Sequence, residues 1–245
     1  MDRLITTASE RFWFAEAYAR DQWVKAQAAK LAKGSAVLDA GAGASKYRPF
    51  FGHCNYKTQD FCLYQGPLVK YLEPIDYVCE ITSIPLPNGS LDAILCTEVI
   101  EHVVNPMAVL AEFHRLLKPG GKLLLTAPLL SHIHMEPYHY YGGFTHFWYE
   151  YWLPRNGFTI EATTCAGGPA RTCVTFCQAF YASWSEAEKK LKPLPRMVSL
   201  PFRAAAKVAV HYVLPFLLPK FDPWLGSRQI YSTCMVAAIR NPGEK

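Results

Sequence analysis

The stretch from Val37 to Ser45 (Val-Leu-Asp-Ala-Gly-Ala-Gly-Ala-Ser) constrains this chain more than any other. An apolar run, an acid and two glycines, followed by helical sequence, read as strand, tight turn and helix. That arrangement opens a nucleotide-type site at the carboxyl edge of a parallel sheet. Gly41 and Gly43 lack Cβ atoms, so backbone there approaches a ligand closely and accepts positive φ.

The neighbouring residues narrow the ligand. A dinucleotide fingerprint needs a third glycine three positions after Gly43, where this chain has Lys46. Asp39, just before the glycines, suits a ligand ammonium group and repels a phosphate. Asp60 ends the next strand-like stretch, Tyr56–Asp60, about 20 residues on, the distance at which a ribose-binding acid is expected. One acid for an ammonium and one for a ribose diol fit S-adenosylmethionine better than NAD. The same residues also read as a glycine turn beside two solvated strand-end acids.

At 245 residues, with 51% hydrophobic and 18% charged content, the chain is a core-forming protein of one large domain or a domain with an elaboration. Its net charge of +5 comes without a dense Lys/Arg block, so nothing indicates a nucleic-acid partner. The 8 cysteines include no C-x-x-C pair and read as reduced thiols, as expected for a cytoplasmic protein. No signal peptide is expected. The apolar stretch Ala204–Leu218 is broken by Lys207, His211 and Pro215 and falls short of the roughly 18–20 residues that cross a bilayer.

Helical spacing runs from Ser9, a candidate N-cap, to Lys33, with Gly34 as the stop. Strand-like runs follow at Ala36–Asp39, Tyr56–Asp60, Tyr77–Glu80, Ala93–Cys96, Lys122–Ala127, Phe158–Thr164 and Ile230–Ile239, with helices expected at Pro106–Leu117 and Thr145–Arg155. This alternation predicts an α/β fold: a doubly wound, mostly parallel, Rossmann-like sheet of seven strands with a helical insertion before the last. The expected divisions are a helical segment 1–34, a cofactor-binding core 35–166, an insertion 167–228 and a final strand and tail 229–245. The proline-rich insertion reads as a helical cap over the substrate crevice. Arg196, Arg203 and Lys207 interleave there with apolar residues, which allows at most a weak peripheral membrane contact.

Further along, Leu91-Asp-Ala-Ile-Leu-Cys-Thr97-Glu98-Val-Ile-Glu101-His102 is followed by Asn105-Pro106, Glu112, Arg115-Leu-Leu-Lys-Pro-Gly-Gly121 and Leu125-Thr-Ala-Pro128. In order and spacing this set resembles the type-11 branch of the class I S-adenosylmethionine-dependent methyltransferases, over about residues 35–165. The resemblance implies that Asp39, Gly41 and Gly43 line the methionine end of the cofactor. It implies that Asp60 accepts the ribose hydroxyls and that Phe61 packs near adenine. Glu80, standing where relatives usually have Asp, would accept the adenine amino hydrogen beside the Ile81 N–H, and Thr97 would sit beside the sulfonium. Many relatives carry Arg where this chain has Gly143, so an anchor for an acidic substrate is missing.

The aromatic and histidine-rich segment 132–148 follows the fifth strand, at the edge where an acceptor binds. The implied activity is methyl transfer to an oxygen of a small molecule or glycan intermediate, with His102 and His139 as candidate bases. An alternative from another class is a non-catalytic S-adenosylmethionine-binding scaffold. A third reading places a divalent ion on Glu98, Glu101, His102 and His139, for a vicinal diol or catechol-like acceptor. It requires the segment after the fourth strand to be helical, so that i, i+3 and i+4 share a face.

Overall fold

The computed structural model describes residues 4, 14–190, 192–225 and 230–242, with the side chains of 193–196 and 198 left aside. The candidate cap Ser9 and the Arg196 side chain lie outside the described residues. The seven strands are β1 (Ala36–Ala40), β2 (Asn55–Asp60), β3 (Tyr77–Val78), β4 (Leu91–Thr97), β5 (Leu117–Pro128), β6 (Phe158–Ala166) and β7 (Thr233–Arg240). They form one sheet in the order β3-β2-β1-β4-β5-β7-β6. Pairings among β1 to β5 are parallel, and β7 runs antiparallel between β5 and β6. The order reverses between β1 and β4, and that switch point is where an open α/β sheet binds ligands.

The central strands are apolar on both faces, as a sheet covered on both sides requires. Val37, Ala93, Leu95, Leu124 and Ala237 pack with Tyr47, Phe51 and Tyr56 beneath Val24 and Ala28 of the first helix, α1 (Ala15–Ala28). Helix α2 (Pro106–Leu116) buries Val109, Leu110, Phe113 and Leu116, each such side chain contributing about 1.5–3 kcal/mol. Its start is set by Pro106 at the first turn and by Asn105, whose side chain accepts the Ala108 N–H at 3.2 Å. Near its end, Glu112 accepts the Ile84 N–H at 2.7 Å while Arg115 donates to the Ile84 and Leu86 carbonyls. This double clamp fixes the loop that carries Glu80 and Ile81. Helix α3 (His146–Arg155) is capped by Thr145 and leads into β6.

Residues Gly167–Ser232 form a second compact unit, all helical in its regular structure. Helix α4 (Pro169–Lys189) turns back into α5 (Pro193–Val208), which continues through a π-helical turn at Ala209–Val213 and short helical pieces to Leu225. The π turn precedes Pro215, which has no N–H to offer the carbonyl of His211. Among the described residues, no helix is long and apolar enough to cross a membrane.

Candidate active site

The carboxyl ends of β1, β2 and β4, with the loops after β3 and β5, enclose a cavity of about 360 Å³. Its walls include Gly41, Gly43, Asp60, Phe61, Glu80 and Ile81. The loop after β1 is pinned by Gln59, whose backbone carbonyl accepts the N–H groups of Gly41 and Ala42 at 2.9 Å. The Gln59 amide, itself buried, reaches the Gly41 N–H and the Cys79 carbonyl. Gly41 sits at φ +72°, and a Cβ there would lie 2.5 Å from a Val99 methyl, so glycine is required twice over.

Asp60 is the hub of this wall. One oxygen accepts the Gly43 N–H at 2.9 Å, and the other accepts the Cys62 N–H at 3.0 Å and the Tyr71 hydroxyl at 3.1 Å. Gln59 and Tyr71 were not singled out by sequence reasoning, since a buried amide and a distant loop tyrosine carry no motif. Asp39 is not on the cavity wall. It is buried behind the glycine loop, its carboxylate accepting the Tyr56 hydroxyl. Burial pushes its carboxyl up to about 7, against the opposing pull of the Tyr56 hydrogen bond. Thr97 is also absent from the wall, where its neighbour Glu98 takes part.

After β4 the chain does not form the α-helix on which the four-ligand metal reading depended. Glu98 takes φ +54° and is followed by a short 3₁₀ turn, Ile100–His102. The Glu98 carboxylate is held by the Thr126 and Thr233 hydroxyls, each at 2.8 Å, and by Arg20 of α1 at 3.0 Å. Glu101 and His102 share this turn, with His102 Nε2 3.8 Å from a Glu101 carboxylate oxygen, and the histidine that joins them is His134, not His139. Among the described residues, donor atoms of Glu101, His102 and His134 lie within 4.8 Å of one another. Glu101 is buried with Oε2 unpartnered, and burial followed by the Glu98 charge drives its carboxyl well above the usual range.

The two candidate bases differ. His102 Nδ1 is 2.6 Å from the Tyr138 carbonyl, so that nitrogen carries the proton and donates it, leaving Nε2 as the basic atom. His102 lines the cavity, and burial holds it down to about 4, so the ring is neutral at pH 7. His139 does not line the cavity: its Nδ1 accepts the His134 N–H at 3.1 Å and its Nε2 lies 2.9 Å from the Tyr141 carbonyl. Both nitrogens are spent on shaping the loop.

That loop closes the far wall with Met135, Tyr138 and Tyr140, and Tyr138 meets Phe61 edge-on at 5.0 Å between ring centres. The N–H groups of Tyr140 and Tyr141 both reach the Glu101 carbonyl. At Gly143 a Cβ would fall 1.9 Å from the Leu129 carbonyl oxygen, so the backbone path itself forbids the arginine of many relatives. Non-glycine residues with positive φ sit around this site: Ser45 in the glycine loop, Cys62 after Asp60, and Glu98 and Met135 on the wall. Such conformations each cost on the order of 1 kcal/mol or more and gather where geometry serves a ligand.

The family described as "Methyltransferase domain", of the type-11 branch, matches residues 38–125. Over that stretch the chain is similar to a class I methyltransferase domain of that branch. The chain is 55% identical over 39 residues to the ubiquinone biosynthesis O-methyltransferase of Xanthomonas oryzae pv. oryzae, a stretch covering 16% of each protein. It is 32% identical over 117 residues to the protein of that name from Dechloromonas aromatica, covering 44% of this chain and 49% of the other. The matches thus span about half or less of those relatives' lengths. In fold it is similar to a putative sarcosine dimethylglycine methyltransferase from Galdieria sulphuraria, with TM-score 0.56 and 14% identity over 92% of this chain and 86% of that one.

Proposed function

We propose that the protein transfers a methyl group from S-adenosylmethionine to an oxygen of a small molecule or glycan intermediate. The observation that carries this reading is one cavity walled by the glycine loop and Asp60 on one side and by the neutral His102 on the other. The residues fit the cofactor: the volume is that of a ligand pocket, Gly41 and Gly43 admit close approach, and Asp60 offers a carboxylate to a diol. Bound there, the cofactor supplies an activated methyl group on a sulfonium. The protein's own part is to orient the acceptor and take its proton. That proton is assigned to Nε2 of His102, whose ring is held through Nδ1 on the Tyr138 carbonyl. Tyr138, Tyr140 and Met135 offer flat and apolar surface for the acceptor and exclude water. The free cysteines support a reducing, cytoplasmic setting.

Production of S-adenosylhomocysteine across a panel of hydroxyl acceptors tests the reading, and its absence with every acceptor would favour the scaffold alternative. In calorimetry, Asp60→Ala is expected to weaken S-adenosylmethionine binding by about 1.5–3 kcal/mol, roughly 10- to 150-fold, through loss of charge-assisted hydrogen bonds. Wild-type protein that binds NAD tightly and S-adenosylmethionine not at all would overturn the assignment.

One observation favours a second reading: the buried, unpartnered Glu101 oxygen beside His102 and His134. Those residues would hold a divalent ion, which would polarise one hydroxyl of a vicinal pair. The first reading expects full activity after EDTA treatment, with no gain from Mg²⁺, Mn²⁺ or Zn²⁺; metal-dependent activity would select the second.

A further inference from the structure

The helical unit Gly167–Ser232 turns an apolar face outward. In α5, Ser199 and Arg203 are the residues that meet α4: both engage the buried Glu188 carboxylate, and Arg203 also donates to Ser185. Met197, Pro201, Ala204 and Val208 recur at helical spacing on the opposite side, and all four are exposed. A surface helix normally buries its apolar stripe and shows its polar side to water. Here the arrangement is inverted. The apolar exposure continues along the arm, with Met197 71%, Phe202 67% and Trp224 82% accessible and with Tyr212, Phe216 and Phe221 also exposed. Contiguous apolar surface of this kind marks a place where something docks.

Charge says what docks. Between Glu188 and Asp222 the sequence has seven Lys or Arg residues and not one Asp or Glu; Arg196, Arg203, Lys207 and Lys220 fall within the arm itself, Arg203 is paired with Glu188, and Lys189 before the arm is paired with Glu186. The two flanking acids are occupied within the unit: Glu188 by Ser199 and Arg203, and Asp222 by the N–H groups of Ala170 and Arg171 at the start of α4. Lys207 is exposed, and Lys220 is exposed with its ammonium 3.8 Å from the centre of the exposed Phe216 ring. Apolar side chains, aromatic rings and exposed lysines on one helical arm match the interface of an anionic bilayer. The arm is too polar and too broken by proline to span, so it lies in the surface plane. We infer that the exposed face running from Met197 to Trp224 is a peripheral membrane-docking surface selective for anionic lipid. This goes beyond the weak contact that the interleaved basic residues alone suggest, and it does not depend on the methyl-transfer reading.

Flotation of the full-length protein with phosphatidylcholine vesicles, with and without phosphatidylglycerol, tests this. The protein is expected to float with the anionic vesicles and to remain behind with the neutral ones. The surface variant Lys207→Glu/Lys220→Glu is expected to lower vesicle affinity by roughly 25-fold or more, at about fivefold per lysine. Met197→Glu/Val208→Glu is expected to abolish flotation while leaving the melting temperature and S-adenosylmethionine affinity unchanged. Equal flotation with neutral vesicles would overturn the charge selectivity. Absence of flotation would overturn the proposal, as would a dimer in light scattering that Met197→Glu/Val208→Glu converts to monomer, since the face would then cover a second copy.

Discussion

His102→Asn is expected to lower kcat by roughly 10²–10⁴-fold while leaving S-adenosylmethionine affinity within about twofold. Asparagine places an N–H near the position of Nδ1, so the bond to the Tyr138 carbonyl survives and the loop stays where His102 holds it. What disappears is Nε2, which lies 3.8 Å from a carboxylate oxygen of the buried Glu101. His139→Asn serves as the contrast. Because both of its ring nitrogens are engaged by loop backbone, that change is expected to alter acceptor KM and loop stability more than kcat. An equal fall in kcat for both variants, or none for His102→Asn, would remove His102 as the base. Steady-state kinetics with a product-detecting assay decides.

Asp39 gives the second large effect, and it is one of stability. Its folded-state carboxyl sits at about 7, above the ordinary value of 3.8, because burial disfavours the charge. A raised pKa stabilises the fold fully below about pH 4, and that contribution is lost as pH climbs through 7. Asp39→Asn removes the titration while keeping an oxygen for the Tyr56 hydroxyl. The variant is therefore expected to gain on the wild type with rising pH, by about 2–3 kcal/mol between pH 5 and pH 8 for a shift of this size. Denaturant melts at the two pH values measure it. S-adenosylmethionine affinity is expected to hold within a few-fold, since Asp39 lies off the cavity wall. A large loss of affinity with no pH-dependent gain would return Asp39 to the role of ammonium acceptor.

These cases show what could be read from the chain. Strand positions were legible because buried parallel strands are short apolar runs between turn residues, and all seven lie where the pattern puts them, although β5 begins at Leu117, five residues before the expected Lys122, and takes in the Lys118–Gly121 run expected as a turn. The expected strand at Ile230 begins at Thr233, and the β3 run is cut to Tyr77–Val78. The glycine loop and Asp60 were legible because close approach and diol recognition admit few residue types. Asp39 showed its type but not its neighbour: only the β1–β2 register brings Tyr56 to it from the adjacent strand. The run after β4 misled because Glu98, drawn to Thr126, Thr233 and Arg20, takes a positive φ that stops an α-helix before it begins. The exchange of His139 for His134 beside Glu101 lay beyond periodicity altogether, since an irregular loop has no repeat to read.

The place of β7 carries a consequence for how the molecule comes into being. On a growing chain, β5 and β6 are both made before the strand that joins them, and among the described residues β6 has no other partner in the sheet. Until Thr233–Arg240 emerges from the ribosome, the half-built sheet presents two open strand edges to its surroundings, the kind of surface that recruits chaperones or sticks to neighbours. The same late strand brings the Thr233 hydroxyl that steadies Glu98. Closure of the sheet and the steadying of Glu98 on the cavity wall thus wait on the same late strand.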